Sequence, residues 1–453
     1  MPRPRRVLEA ASSSRSPLVP ARTGRARAQC TTGDDIGSGP SPLEASVADV
    51  DPDPVEMGPG ASGRGSAPGG HGSAVEQWAS QRERYLDNLK VILIAVVIAG
   101  HALVGYSEFD WWSYSDVREV TLAPVTTIVL IAVALPFALL VIPLLFLVSG
   151  LLTPPSVERK GTGRFVRDRL LRLGVPFVVF AILLWPLLEY GLFRWLGEAP
   201  GFWVYLRAEG SLDTGVLWFV GALLVFSLAY AGWVRIRRGR AQRRRRGPIR
   251  LGHLAALAGV VTVATFLLRM VVPFETDNWF IDVNLWEWPA SAALFGLGVV
   301  AAREGWVHAA PDRLRRQSRT VTLIAVAAAG AFALAIIALG VDEEQLWGGW
   351  HWTALAFAAG ECTLSVFGPV WLLGSAQRLL DRPLRWAGPA ISRSAYGAFL
   401  LQGIVLIGLA LALRVVPFPA EVKAILVAVG GVAGSFALAW VLISRVPGVA
   451  RVL

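Results

Sequence analysis

Ten apolar stretches, each long enough to cross a bilayer as a helix, constrain this chain more than any other feature. A ~30 Å hydrocarbon core takes about 20 residues at 1.5 Å rise each. No backbone polar group can stay unbonded inside that core, so a spanning segment must be a helix or part of a closed barrel. The stretches are Leu89–Tyr106, Leu122–Leu152, Leu171–Gly191, Val216–Val234, Leu251–Val272, Leu285–Ala302, Val321–Gly340, Trp352–Leu373, Ala395–Val415 and Val422–Ile443. They predict an all-α fold, a polytopic membrane helical bundle of about ten transmembrane helices. The second stretch is long and holds Pro124, Pro136 and Pro143, so it is expected to kink or to begin as an interfacial segment. Composition agrees: 54% of the 453 residues are hydrophobic and only 17% charged, against about a quarter charged in soluble domains.

Residues 1–84 have a different character. They are rich in Pro, Gly, Ser and Ala, with almost no aromatic residue before Trp78. Too little apolar surface is present to offset the entropy of ordering, which predicts a disordered cytoplasmic tail. No short apolar segment follows its first arginines, so a cleavable secretory signal is not expected. Residues 85–445 make up the ten-helix domain, and 446–453 a short cytoplasmic tail. The tail of 84 residues carries ten basic and ten acidic groups, so the net charge of +10 belongs to the remainder.

That charge alternates along the chain. Basic connections follow the second stretch (Arg159 to Arg172), the fourth (nine arginines from Arg235 to Arg250, without an acid), the sixth (Arg303 to Arg319) and the eighth (Arg378 to Arg393). The intervening connections carry Glu108, Asp110, Asp116 and Glu119, then Glu275, Asp277, Asp282 and Glu287, then Asp342, Glu343 and Glu344. The positive-inside rule reads this as ten spans in a plasma membrane with both termini cytoplasmic. Trp111, Trp112, Trp279, Trp286, Trp288, Trp347 and Trp350 gather at the acidic ends, as an interfacial aromatic belt does. No nucleic-acid partner is expected; the arginine run is an orientation signal. Cys30 and Cys362 support neither a disulfide framework nor a thiolate metal site.

Ionisable groups inside spans are costly and mark function. In the first stretch Lys90 and His101 are eleven residues apart, on one helix face, with a rise of about 16 Å between them. Lys90 falls at the basic edge and His101 near mid-membrane, with Gly100 leaving room for a substrate or a neighbouring backbone. A buried imidazole can act as a general base, relay protons in a transporter, or hydrogen-bond across helices. His71, His253, His308 and His351 lie elsewhere without ligand spacing, so no metal site is expected. Arg169 and Arg172 enter the third stretch from its basic end, one turn apart. Two guanidinium forks there suit phosphate oxygens, and equally serve as topology determinants.

Five segments together give the chain a family likeness. They are Arg84-Tyr-Leu-Asp-Asn-Leu-Lys90 running to Gly100-His101, Pro143-Leu-Leu-Phe-Leu-Val-Ser-Gly150, Arg169-Leu-Leu-Arg172-Leu-Gly-Val-Pro176, Leu217-Trp-Phe-Val-Gly-Ala-Leu-Leu224 and Ser394-Ala-Tyr-Gly-Ala-Phe-Leu-Leu-Gln402. In this order they resemble the integral-membrane acyltransferase family 3, whose members O-acylate polysaccharides, lipids and antibiotics. The similarity is greatest to its glucan-modifying, succinyltransferase-like branch. The family's basic residue, ten positions, then His pattern falls on Lys90 and His101, and its Arg-x-x-Arg pattern on Arg169 and Arg172. One departure stands out: members often carry His where this chain has Gln402, which cannot titrate. The segment after the last span is too short for the extracytoplasmic domain that some members append.

The resemblance implies transfer of an acetyl- or succinyl-class group from cytoplasmic acyl-CoA to a hydroxyl of a carbohydrate or lipid-linked acceptor. His101 would be the base, Lys90 would orient the donor or tune the imidazole, and Arg169 with Arg172 would hold the nucleotide end. No permanently bound cofactor is implied. The competing reading is a multi-pass transporter or flippase with His101 in its path, which predicts repeat symmetry between the halves.

Overall fold

The computed structural model describes residues 71–108, 118–195, 201–209, 212–237, 247–273, 281–342, 344–382 and 388–452. The chain divides into one unit ending at Ala74 and a second, Val75–Leu453, which holds every span. Several features of the sequence lie outside the described residues: the tail to residue 70 with Cys30, the group Asp110, Trp111, Trp112 and Asp116, arginines 238–246, Glu275, Asp277, Trp279, Glu343 and Arg385.

Among the described residues, ten helices are long and apolar enough to cross a membrane. In order they are Arg84–Gly105, Pro124–Lys160, Thr162–Leu192, Gly215–Ile236, Leu251–Arg269, Leu285–Arg303, Asp312–Leu339, Trp352–Leu379, Ala390–Leu413 and Ala420–Arg445, called here the first to tenth spans. The protein is a multi-pass membrane helical bundle. Extended structure among the described residues is limited to β1 (Leu212–Asp213) and β2 (Ile281–Asp282), two residues each, paired in parallel.

The second span is one unbroken helix of 37 residues, about 56 Å long and so longer than the hydrocarbon core. Pro124 stands in its first turn, where a missing N–H leaves no bond unmade, while Pro136, Pro143, Pro154 and Pro155 lie inside it. The third span is broken differently. Two π-helical segments, Leu170–Gly174 and Phe180–Leu184, interrupt its α-helix. Pro176 cannot donate to the Arg172 carbonyl one turn earlier, and that carbonyl accepts the Tyr396 hydroxyl of the ninth span at 2.6 Å.

Side chains at the basic ends of the spans hydrogen-bond the backbone of neighbouring basic connections. The Tyr85 hydroxyl donates to the Val307 carbonyl at 2.8 Å, and Asn88 donates to the carbonyls of Leu380 and Arg382 at 2.9 and 3.0 Å. Gln377 donates to the Trp306 carbonyl at 2.7 Å and accepts the Ala310 N–H at 2.8 Å. The acidic connections are tied separately. Lys423, 2% exposed, pairs with Glu119, and Glu421 accepts the Ala123 N–H at 3.0 Å. The β1–β2 pair joins the entries to the fourth and sixth spans. Alternate connections therefore associate as two sets, the arrangement that the charge pattern implies.

The core explains two of the five motif segments. Gly150 on the second span and Gly298 on the sixth meet backbone to backbone: a Cβ on Gly150 would collide with the Phe295 carbonyl, and one on Gly298 with the Leu147 carbonyl. Small residues allow such close approach where lipid supplies no hydrophobic drive between helices. One turn away, the buried Phe146 ring packs 4.6 Å from Phe219 and 6.3 Å from Trp218, joining the second motif to the fourth. Phe219 in turn meets Phe399 of the ninth span at 5.8 Å.

Candidate active site

The first helix ends at Gly105, four residues beyond His101. Its end is closed by polar contacts: Arg118 donates to the Gly105 carbonyl at 3.2 Å, and the Leu122 N–H donates to the Tyr106 carbonyl at 2.9 Å. His101 is thus about 6 Å from the end of its own helix. Its partner fixes its depth better. The imidazole Nδ1 lies 3.1 Å from Oε1 of Gln402, and Gln402 is twelve residues from one end of the ninth span and eleven from the other. The pair therefore sits level with the middle of the ninth span.

Gln402 is fully buried, and its orientation is set by its own bond. Nε2 donates to the Phe399 carbonyl at 3.0 Å, which turns Oε1 toward the imidazole. An amide oxygen only accepts, so Nδ1 carries the proton and the Nε2 lone pair of His101 is the basic one. The imidazole also hydrogen-bonds the backbone of Val97, one turn back. A Cβ built on the preceding Gly100 meets nothing within 4 Å among the described residues. An imidazole that donates at Nδ1 can accept a proton from a hydroxyl at Nε2.

The arginines form a second group. Arg169 is half-buried, with its guanidinium 5.0 Å from the centre of the Phe165 ring. Arg172 stands in the π segment with an exposed side chain. The Tyr396 hydroxyl is bonded to the Arg172 carbonyl and lies within electrostatic reach of both guanidinium groups. Six residues on the ninth span separate Tyr396 from Gln402, about 9 Å of rise. That helix connects the arginine group to the imidazole. Lys90 stands apart from both: its ammonium pairs with Asp87 at 3.3 Å, and both side chains are about half exposed. About 16 Å of helix rise from His101, it makes no direct bond to the imidazole.

Two further groups escaped the sequence reading. Tyr396 lies inside a recognised motif, but only the fold reveals that it meets Arg172. Arg269 and Glu361 form a two-point ion pair between the fifth and eighth spans, Nη2 to Oε1 at 2.9 Å and Nη1 to Oε2 at 2.7 Å, with side chains 2% and 5% exposed. Glu287 at the head of the sixth span is within electrostatic reach of both, and the ring centres of Trp286 and Phe357 lie 5.7 and 5.9 Å from the guanidinium. The signal was available, since both ionisable residues fall inside predicted spans.

An acyltransferase domain, that of acyltransferase family 3, matches residues 83–444. The chain belongs to this family. It is therefore an acyl-transferring enzyme embedded in a membrane, and the match takes in all five motif segments and nearly all of the ten spans. No curated protein and no solved structure matches the chain. The site residues thus rest on this chain's own geometry.

Proposed function

We propose that the protein moves an acetyl- or succinyl-class group from acyl-CoA to a hydroxyl of a carbohydrate or lipid-linked acceptor, with His101 as general base. The observation that carries this reading is the His101–Gln402 bond, level with the middle of the ninth span. It presents a basic Nε2 where water and competing nucleophiles are scarce. Nε2 takes the acceptor's hydroxyl proton as the oxygen attacks the thioester carbon. The C–S bond then breaks, and the imidazolium returns the proton to the departing thiolate, so the imidazole ends each turnover neutral.

The donor enters from the basic end, which the positive-inside rule assigns to the cytoplasm of a plasma-membrane protein. Its phosphates meet Arg169 and Arg172, and its extended pantetheine arm runs along the ninth span toward His101. Lys90 serves at the donor's entrance rather than on the imidazole, because three helical turns separate it from the ring. The glucan-modifying branch supplies the narrower expectation for the acceptor. Membership of an acyltransferase family favours this reading over the transporter.

Purified protein in detergent, given acetyl- or succinyl-CoA and candidate glycans, is assayed for free thiol. Acceptor-dependent release is expected from the wild type and lost in His101→Ala. Release unchanged in that variant overturns the role of His101.

A further inference from the structure

A cavity of about 780 Å³ opens between the fifth and sixth spans, far along the chain from the His101 and Arg169 groups. Its walls are apolar, with Leu254 and Leu257 on one helix and Ala293 and Gly296 on the other. Leu297 and Val300 complete the sixth-span wall, and a Cβ on Gly296 would meet nothing within 4 Å among the described residues. From Arg250 to Leu257 the cavity follows seven residues of the fifth span, about 10 Å, or two-thirds of one ~15 Å leaflet. An apolar space at that depth, beside spanning helices, is filled by hydrocarbon chain rather than by water.

Its outer end is polar, at the basic side of the bundle. Arg250, His253 and Glu304 line it. The Arg250 backbone N–H donates to His253 Nδ1 at 3.1 Å, so the imidazole's own proton is on Nε2, which is a donor. Glu304 is engaged by the Ile249 N–H, with its two oxygens at 3.2 and 3.1 Å. The rim thus offers a guanidinium and an N–H donor, while the carboxylate is turned to backbone. Arg250 and the His253 N–H both donate at this end of the cavity, which suits an anion better than a cation.

We propose that this cavity binds one anionic phospholipid, its phosphodiester against Arg250 and His253 and one acyl chain between the fifth and sixth spans. Basic pockets between spanning helices recognise anionic headgroups by the same pairing of charge and hydrocarbon. Its lining shares no residue with the transfer site, and its test does not depend on activity.

The full-length protein, extracted in uncharged detergent, is supplied with equal phosphatidylglycerol and phosphatidylcholine and weighed by native mass spectrometry. One phosphatidylglycerol retained in preference is expected. Arg250→Ala should lower that preference about fivefold, and Gly296→Phe, which fills the cavity, should remove the retained lipid. Size-exclusion elution and melting temperature identify any variant that has not folded, and Ala293→Leu then replaces Gly296→Phe. Equal retention of the two lipids, or a preference that survives both changes, overturns the proposal. So does a wild type whose cavity-blocking variants alter only its state of association, since the occupant is then a second copy of the chain.

Discussion

Replacing Gln402 by Met tests the active-site geometry most directly, because the side chain keeps its length and loses only the polar atoms. Gln402 is fully buried and gives His101 its Nδ1 acceptor at 3.1 Å. Removing that oxygen takes one acceptor from the buried ring or lets the ring adopt the other tautomer, with the basic lone pair facing Gln402's former place. An unmade buried bond costs about 1–3 kcal/mol, and at 1.36 kcal/mol per tenfold the rate falls about 5- to 160-fold. The loss should appear in kcat, since the arginine group is about 9 Å of helix away and the donor's KM should hardly move. Gln402→Glu keeps an accepting oxygen in place and should recover part of the lost rate, which a purely packing role does not predict. Thiol release from acyl-CoA at saturating donor measures all three proteins. A Met variant that folds and keeps kcat within twofold of wild type refutes the role of Gln402 in holding the tautomer.

Three other outcomes follow from the same structure. Arg169→Ala and Arg172→Ala should each raise the donor's KM about ten- to a hundredfold, the loss of a charge-assisted phosphate bond, with kcat little changed; titration of acyl-CoA in the thiol assay checks this. Glu361→Ala removes the carboxylate that pairs at two points with the buried Arg269 and should cost about 3–5 kcal/mol. Replacing both residues by Met and Leu should recover much of that loss, read as melting temperature in detergent. Gly150→Val drives a side chain into the Phe295 carbonyl and should lower stability by about 1–3 kcal/mol, whereas the same change at Gly100, where a Cβ meets open space, should spare the melting temperature.

The number, order and apolar extent of the spans were legible because bilayer thickness imposes a length that a sequence must meet residue by residue. His101 was legible for a related reason: an imidazole is expensive in hydrocarbon, so its presence is informative before any contact is known. Its partner was not. Gln402 looked like a weakened position, a residue that cannot titrate where relatives can. The 3.1 Å contact gives it a different task, since a group that only accepts at Oε1 fixes the tautomer of its neighbour without titrating. No one-dimensional pattern encodes that pairing, because it joins residues 301 positions apart through the packing order of helices. The same limit hid Tyr396 from Arg172 and Arg269 from Glu361, although the two charges stand inside predicted spans and could have been singled out on that ground.

The spacing of Lys90 and His101 carries one more argument. Eleven residues put Lys90 and His101 on one helix face, and that coincidence suggests direct cooperation. Along the helix, however, the same spacing is about 16 Å, and the Lys90 ammonium is held by Asp87 at 3.3 Å. A shared face at that distance is useful only to something that spans it, such as a long, flexible substrate arm with a charge at one end and a reactive carbonyl at the other. On the proposed function, the spacing is a measure of the donor rather than a catalytic pair. On that account, moving the base by one turn, with His101→Ala combined with Val97→His, should abolish transfer even though an imidazole still lies on the first span. Transfer that persists in that double variant would mean that the distance between the charged end and the base does not matter.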